Sequence, residues 1–233
     1  MRTISFLFVV CLAALPAQAD TTEIALVPIG TVDGTTVLEG DLTALGITDI
    51  ESIMLMDDAA ITGGAPGIFS GFDLDAVFLD FDGSLATTGD RAYAADYEFS
   101  AGSVRGTSRW YMRPNGSHPG LLFGALDSTT VDLATATLET LDAVSIAHVN
   151  RGDGFLSLGD GGSIVANFSP SVAVTGSLFV VVGEVGGNGE NVHAFVTGRD
   201  FVENPEPASL VLVGSSAAWI ALAARRRRRR NAA

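Results

Sequence analysis

Short apolar runs separated by glycine, aspartate, asparagine and serine fill the chain between residues 20 and 203. Such runs with turn residues between them are typical of β-strands, and faces with helical periodicity are scarce. The pattern predicts strands at Glu23–Ile29, Thr35–Glu39, Ser52–Met56, Ala76–Phe81, Tyr93–Phe99, Leu121–Leu126, Ala143–His148, Phe155–Leu158, Ser163–Phe168, Leu178–Val182 and Val192–Thr197. Their spacing of roughly 8–15 residues predicts an all-β fold with a β-sandwich or jelly-roll-like body at residues 20–203.

Two of these strands carry a clear burial pattern. Ile164, Ala166 and Phe168 alternate with Val165 and Asn167, which predicts one buried face. The run Leu178–Val182 is apolar at every position. A run without alternation predicts a central strand that is covered on both faces.

The first 19 residues have the pattern of a secretory signal peptide. Arg2 precedes an apolar core, Ile4–Leu15, and a small-x-small site ends at Ala19. We therefore expect cleavage between Ala19 and Asp20, which would remove the single cysteine of the chain. The alternative is an uncleaved N-terminal anchor.

A second apolar segment, Ala208–Ala224, has 17 residues and no charge. As a helix it would be about 25 Å long, which is the short end of what spans a bilayer. The residues that follow it are Arg225, Arg226, Arg227, Arg228, Arg229 and Arg230. Because basic flanks stay cytoplasmic, we expect a transmembrane helix with the arginines inside and the body outside. A buried core helix with a basic tail, or a nucleic-acid-binding arm, is the alternative.

Removing both ends changes the composition of what remains. Seven of the 13 basic residues lie in these ends, which leaves six arginines against 27 acidic residues, a formal charge of about −21. Such a body would repel nucleic acid and could attract divalent cations, basic partners or neutral glycans. Without cysteine, it must depend on packing, on a metal or on both.

The C-terminal tail resembles the PEP-CTERM sorting signal of exported proteins from Gram-negative bacteria that make exopolysaccharide. That signal is a Pro-Glu-Pro motif, a transmembrane helix and an arginine-rich end. All three occur here in that order within residues 204–233, and the motif is Pro205, Glu206 and Pro207. The resemblance implies recognition by an exosortase, a membrane cysteine transpeptidase that removes the tail. The body would then be released or joined to the cell surface.

Two segments of the body resemble parts of the β-sandwich bodies that carry this signal. They are residues 63–75, Gly-Gly-Ala-Pro-Gly-Ile-Phe-Ser-Gly-Phe-Asp-Leu-Asp, and residues 157–164, Ser-Leu-Gly-Asp-Gly-Gly-Ser-Ile. The resemblance extends to residues 183–186 and 190–192 and implies no particular activity. From the residues alone, Gly159–Gly162 predicts a tight turn that leads into a strand.

The densest group of carboxylates lies between residues 73 and 90. Its members are Asp73, Asp75, Asp80, Asp82 and Asp90. Asp73 with Asp75, or Asp80 with Asp82, would share one face of a strand and could bind Ca²⁺ together. The alternative is a solvated acidic edge and turn, and no metal or cofactor is assigned.

Other candidate residues give weaker signals. Gly186–Asn191 is similar to one calcium nonapeptide repeat, but it is a single copy with Asn191 in place of aspartate, which favours a hairpin loop. His118, His148 and His193 are far apart and lack the spacing of a zinc motif. The sequence contains no Gly-x-Ser-x-Gly motif of a serine hydrolase.

Half of the six arginines of the body lie between residues 105 and 113, beside two adjacent aromatic residues. Aromatic rings stack on sugars and arginine binds acidic groups in a bidentate manner. Arg109, Trp110, Tyr111 and Arg113 thus form a candidate patch for acidic glycan or protein. The alternative is a strand with a buried tryptophan and outward arginines that neutralise nearby carboxylates.

These features predict an exported surface or matrix protein with a structural or adhesive role and no enzymatic activity. Its expected partners are signal peptidase, an exosortase-type transpeptidase and exopolysaccharide, and not nucleic acid. It would pass through the inner membrane on the way to the cell surface. The alternative is an extracellular hydrolase or lyase acting on glycans, because the fold and not the sequence sets the separation of a carboxylate pair.

Overall fold

The computed structural model describes residues 20–59, 71–86, 88–102, 124–143, 154–186 and 189–200. Nearly all regular structure in these ranges is β-strand. The strands are β1 (Asp20–Ile24), β2 (Val27–Val32), β3 (Thr35–Asp41), β4 (Ile47–Asp57), β5 (Asp73–Asp80), β6 (Arg91–Ala92), β7 (Asp96–Ser100), β8 (Leu156–Ser157), β9 (Ser163–Ala173), β10 (Phe179–Val185) and β11 (Val192–Asp200). A single-turn helix, α1, spans Leu133–Ala136.

The strands form two antiparallel sheets. In sheet A the order is β1-β11-β4-β9-β7, and in sheet B it is β2-β3-β10-β5-β6, with β8 also paired to β5. One apolar cluster contains buried side chains from both sheets, such as Ile53 and Ile164 of sheet A with Val77 and Val180 of sheet B. The all-β, sandwich-like architecture predicted from the sequence is therefore confirmed.

The two strands with distinct burial patterns are as predicted. In β9, Ile164, Ala166 and Phe168 are buried, whereas the residues between them are half-buried. Strand β10 lies between β3 and β5, and it is buried from Val180 to Val185. The turn at Gly159–Gly162 precedes β9 and is closed by a 3.1 Å hydrogen bond from Gly162 N to Gly159 O.

One predicted strand, Glu23–Ile29, is wrong as a single element. Strand β1 ends at Ile24 in sheet A, and β2 begins at Val27 in sheet B. The chain changes sheets at this corner, where both Ile24 and Leu26 pack over Gly40. A Cβ atom at Gly40 would lie 2.6 Å from Ile24 Cγ2 and 3.1 Å from Leu26 Cδ2, so the corner needs glycine beneath it.

Two other predicted strands extend beyond the described residues. In Leu121–Leu126, Ala125 forms an isolated bridge with Val131. Residues 121–123 and 144–148 lie outside the described ranges. Of the predicted strand Tyr93–Phe99, residues 96–99 lie in β7, and residues 93–95 form the break between β6 and β7.

Sheet B is also covered on its outer face. Val37, Ala76, Phe78 and Val181 form a second buried cluster there. Leu85 and Leu141, from the segments after β5 and after α1, pack against it. As a result β5 is buried at all eight positions, including its three aspartates.

The first and last strands pair with each other. Strand β1 pairs antiparallel with β11, from Asp20 opposite Gly198 to Ile24 opposite Ala194. Thr48, near the start of β4, donates a 2.9 Å hydrogen bond to the carbonyl of Arg199. The start of β1 and the end of β11 therefore lie at the same end of sheet A.

Residues through Arg199 form one compact unit, and the chain from Asp200 onward forms a second. No helix among the described residues is long and apolar enough to cross a membrane. The predicted signal peptide (1–19), the motif at 205–207, the predicted transmembrane segment (208–224) and Arg225–Arg230 all lie outside the described residues.

Several backbone segments meet closely at the opposite end of the sandwich. A Cβ atom at Gly71, just before β5, would collide with the backbone of Gly159. One at Gly102, after β7, would collide with the backbone of Asp160 and Gly162. Since these contacts join the starts of β5 and β9 to the end of β7, we call this region the glycine junction.

Replacing Gly71 with alanine should destabilise the protein severely. Gly34, in the turn between β2 and β3, is the matched control because its φ of +97° is close to the +100° of Gly71 and a Cβ there meets nothing within 4 Å. Gly34→Ala should cost about 1 kcal/mol from φ strain alone. Gly71→Ala adds a backbone collision and should cost more than about 3 kcal/mol. Urea unfolding followed by circular dichroism measures both, and equal costs would contradict the close approach.

Candidate functional site

The acidic residues of β5 were the sequence candidates for calcium binding, and each can now be placed. Asp73, Asp75 and Asp80 are buried, with 5%, 0% and 0% of their surface exposed. Asp82 follows β5 and is exposed, and so is Asp90. The prediction of a solvated acidic edge is therefore wrong for the three residues in the strand, because the segments carrying Leu85 and Leu141 cover that face.

Asp80 closes the turn that follows β5. Its Oδ1 accepts hydrogen bonds from the backbone amides of Asp82 (3.0 Å) and Gly83 (2.8 Å). Its Oδ2 lies 3.4 Å from Nε of Arg91, whose side chain is only 7% exposed. The Arg91 guanidinium also lies 4.3 Å from the centre of the Phe78 ring and donates to the Leu85 carbonyl at 3.1 Å. Asp80 and Arg91 thus form a buried ion pair that fixes β6 and the turn on sheet B.

Asp75 is fully buried and accepts hydrogen bonds from three donors. Thr35 Oγ1 donates to Oδ2 at 2.7 Å, and the amides of Ala143 and Asp142 donate to Oδ1 at 3.0 and 3.3 Å. Burial raises the pKa of Asp75 to about 6, although all three hydrogen bonds oppose the rise and the charge of Asp142 adds to it. This carboxyl group connects β3, β5 and the segment after α1.

The place of Asp75 depends on an irregularity in the sheet. The β5–β10 register shifts between Val182 and Glu184, opposite Asp75 and Ala76. Gly183 lies beneath this bulge, where a Cβ atom would be 3.1 Å from the Cβ of Asp75 and 2.6 Å from Leu141. The missing side chain leaves room for the carboxyl group and the leucine that covers it.

Asp57, the last residue of β4, holds the glycine junction together. Its Oδ1 accepts the amides of Gly161 (2.8 Å) and Ala59 (2.9 Å), and its Oδ2 accepts the amide of Phe72 at 2.9 Å. The backbone amide of Asp57 donates to Gly162 O at 2.9 Å. Asp57 is 5% exposed, so three backbone amides solvate its carboxylate in place of water.

The glycine junction also brings together the two body segments that carry the family resemblance. Leu158 N donates to Phe72 O at 2.9 Å, and Asp73 of β5 pairs with Ser157 of β8. These residues belong to the ends of the 63–75 and 157–164 segments. No motif in the sequence predicts that Asp57 connects them, although an aspartate at the end of a strand is a common acceptor for loop amides.

The contacts of these carboxylates are structural in character. Asp57, Asp75 and Asp80 accept hydrogen bonds from backbone amides and Thr35, and Asp80 also pairs with Arg91. Within the described ranges, no group of three or more His, Cys, Asp or Glu residues is arranged to hold a metal ion. The described aspartates of residues 73–90 therefore give no support to a shared calcium site.

His193 is the one candidate histidine within the described ranges. Its Nδ1 lies 2.9 Å from Glu23 Oε1 across the β1–β11 seam, and its ring stacks on Phe195 at 6.4 Å. Both members of the pair are about half exposed, so the contact contributes little to stability. It marks the seam between the first and last strands.

The remaining candidates lie outside the described residues. They are Arg109, Trp110, Tyr111, Arg113, His118, His148, and the processing and sorting residues Ala19, Pro205, Glu206, Pro207 and Arg225–Arg230. Gly186 and Glu190–Asn191 are described, but residues 187–188 between them are not.

Models of known protein families, curated proteins and solved structures were compared with this chain, and none of them matched.

Removing the charge of Asp75 should change how stability depends on pH. Because its pKa is raised to about 6 from 3.8, the carboxyl group favours folding fully below about pH 4, and this contribution is lost as pH rises through about 6. The full difference is at most about 3 kcal/mol. Asp75→Asn keeps the shape and both acceptor bonds of Oδ1, so the variant should gain stability relative to wild type as pH rises from 4.5 to 7.5.

Urea unfolding at several pH values measures this difference. Asp127→Asn is the control, because Asp127 is exposed and its pKa is lowered by hydrogen bonds from Thr129 and Thr130. Its stabilising contribution is present above the unfolded pKa and is lost only as pH falls below it, so the difference in stability between Asp127→Asn and wild type should stay constant between pH 5.5 and 7.5. An Asp75→Asn profile parallel to wild type across the whole range would contradict the raised pKa.

Proposed function

We propose that this chain is an exported cell-surface or extracellular-matrix protein of the PEP-CTERM type, with a structural or adhesive role. The observation that carries the proposal is the order of the tail: Pro205-Glu206-Pro207, then the uncharged Ala208–Ala224, then Arg225–Arg230. Signal peptidase would cut between Ala19 and Asp20, and an exosortase-type transpeptidase would remove the tail. In this proposal the body has a jelly-roll-like fold, with a signal helix before it and a transmembrane helix after it.

The bounds of the described strands support this processing scheme. Strand β1 begins at Asp20, so cleavage after Ala19 would remove none of its residues. Strand β11 ends at Asp200, five positions before Pro205, so removal of the tail would leave it whole. Every strand that the structure describes would thus remain after both cleavages, as a temporary leader and a temporary anchor require.

The polarity of the sandwich supports an adhesive role. Strand β4 runs from Thr48, beside Arg199, to Asp57 at the glycine junction. Gly102 lies at that junction, and the segment with Arg109 and Trp110 follows it in the chain. This segment therefore starts from the end of the sandwich opposite Arg199, whereas the proposed attachment follows Arg199 in the chain. Exopolysaccharide is the proposed ligand.

Intact mass spectrometry of the protein from its own cells tests the processing scheme. We expect a chain that begins at Asp20 and has lost Arg225–Arg230, with any attached group visible as added mass. A mature protein that keeps its arginine tail would overturn the sorting proposal. One that keeps residues 1–19 would overturn the leader cleavage.

A pull-down on acidic exopolysaccharide tests the adhesive role. Trp110→Ala should lower the retained fraction severalfold, because stacking of one aromatic ring contributes about 1–2 kcal/mol. Tyr93→Ala is the control, since Tyr93 is a partly exposed aromatic residue that packs on Phe78 and is not one of the residues of the candidate patch. Equal retention of Trp110→Ala and wild type would remove this patch from the proposal.

A further inference from the structure

The first strand of the body depends on the last one. Strand β1 lies at the edge of sheet A, and its partner there is β11. Five residue pairs form this seam, and Thr21 Oγ1 lies 3.2 Å from Thr197 Oγ1 across it. Of the β1 side chains described, only Ile24 is buried in the core, so β1 has little to hold it before β11 arrives.

Strand β11 also completes the middle of sheet A. It lies between β1 and β4, and it is the last strand of the body in the chain. Until residues 192–200 have crossed the membrane, β4 has β9 on one side only and β1 has no partner. A chain exported from its N-terminus can therefore close sheet A only after almost all of the body has been translocated.

We propose that leader removal, the first of the two processing reactions, has to precede closure of the β1–β11 seam. This inference rests on the proposed function. In the first reaction, water adds across the Ala19–Asp20 peptide bond and gives a carboxylate on Ala19 and an amino terminus on Asp20. That bond adjoins Asp20, whose backbone pairs with Gly198 once the seam is closed.

The reason for this order is access to the backbone. A protease binds its substrate as an extended, unpaired segment, and backbone already hydrogen-bonded in a sheet must first open. The closed seam therefore protects the leader bond.

A disulfide across the seam tests the order directly. The body contains no cysteine, so Thr21→Cys with Thr197→Cys, in a chain with Cys11→Ala, can form only this bridge. Met54→Cys with Val165→Cys is the matched control, because it bridges β4 and β9, which is a paired position away from the seam. The full precursor is purified in detergent, oxidised, and incubated with bacterial signal peptidase.

We expect the oxidised seam variant to be cut at Ala19 at least about tenfold more slowly than its reduced form, as followed by mass spectrometry. Oxidation of the β4–β9 control should not change its rate. A precursor that ends at Asn191 lacks β11 and should be cut faster than the full-length chain, which provides a comparison that needs no disulfide.

Two outcomes would overturn the inference alone. One is equal cleavage of the oxidised and reduced seam variants, and the other is equal cleavage of the truncated and full-length precursors. Failure of signal peptidase to cut any of them would instead overturn the export proposal, and this inference with it.

Discussion

The carboxylate of Asp57 is the interaction on which the arrangement of the strands most depends. It lies at the end of β4 and accepts backbone amides from its own loop, from the chain entering β5 and from the turn before β9. A buried carboxylate is costly unless hydrogen bonds replace its hydration, and each buried amide left without a partner costs about 1–3 kcal/mol. Because the amides replace the hydration of the carboxylate and the carboxylate accepts from the amides, the interaction fixes three chain segments at one point.

The same principle explains why so acidic a body can bury several carboxylates. Asp80 combines two turn amides with the Arg91 guanidinium, and Asp75 combines two amides with the Thr35 hydroxyl. Without cysteine in the body, loops cannot be fixed by disulfides, and these carboxylates supply connections between distant segments instead. Asp75 has no cation beside it among its described contacts, and burial raises its pKa.

The strands could be predicted from the sequence where the pattern was local. The alternation in β9 and the continuous apolar run of β10 each report the environment of a single strand. The split between β1 and β2 could not be predicted, since Ala25 and Leu26 are apolar and no turn residue marks the change of sheet. The packing of Ile24 and Leu26 over Gly40 is a tertiary contact, and it decides where the strand ends.

The site residues were less predictable, because their partners are distant in sequence. Asp57 is 15 residues from Phe72 and 104 from Gly161, so no short motif contains the interaction. Asp80 looked like a metal ligand because the sequence shows the neighbouring carboxylates but not which amides and which arginine they contact. Phe72 and Leu158, which belong to the two segments that resemble sorted bodies, are 86 residues apart in sequence and yet are hydrogen-bonded to each other.

The two ends of the sandwich differ in which parts of the chain they bring together. Strands β1 and β11 place the start and end of the body side by side, whereas the glycine junction lies at the other end of β4. A pull on the chain after Asp200 acts on β11, which has a neighbour on each side, β1 and β4. A strand held on both sides resists extraction better than an edge strand, because two rows of hydrogen bonds must break instead of one. An attachment that follows β11 is thus better supported than one that precedes β1, as the proposed processing scheme requires.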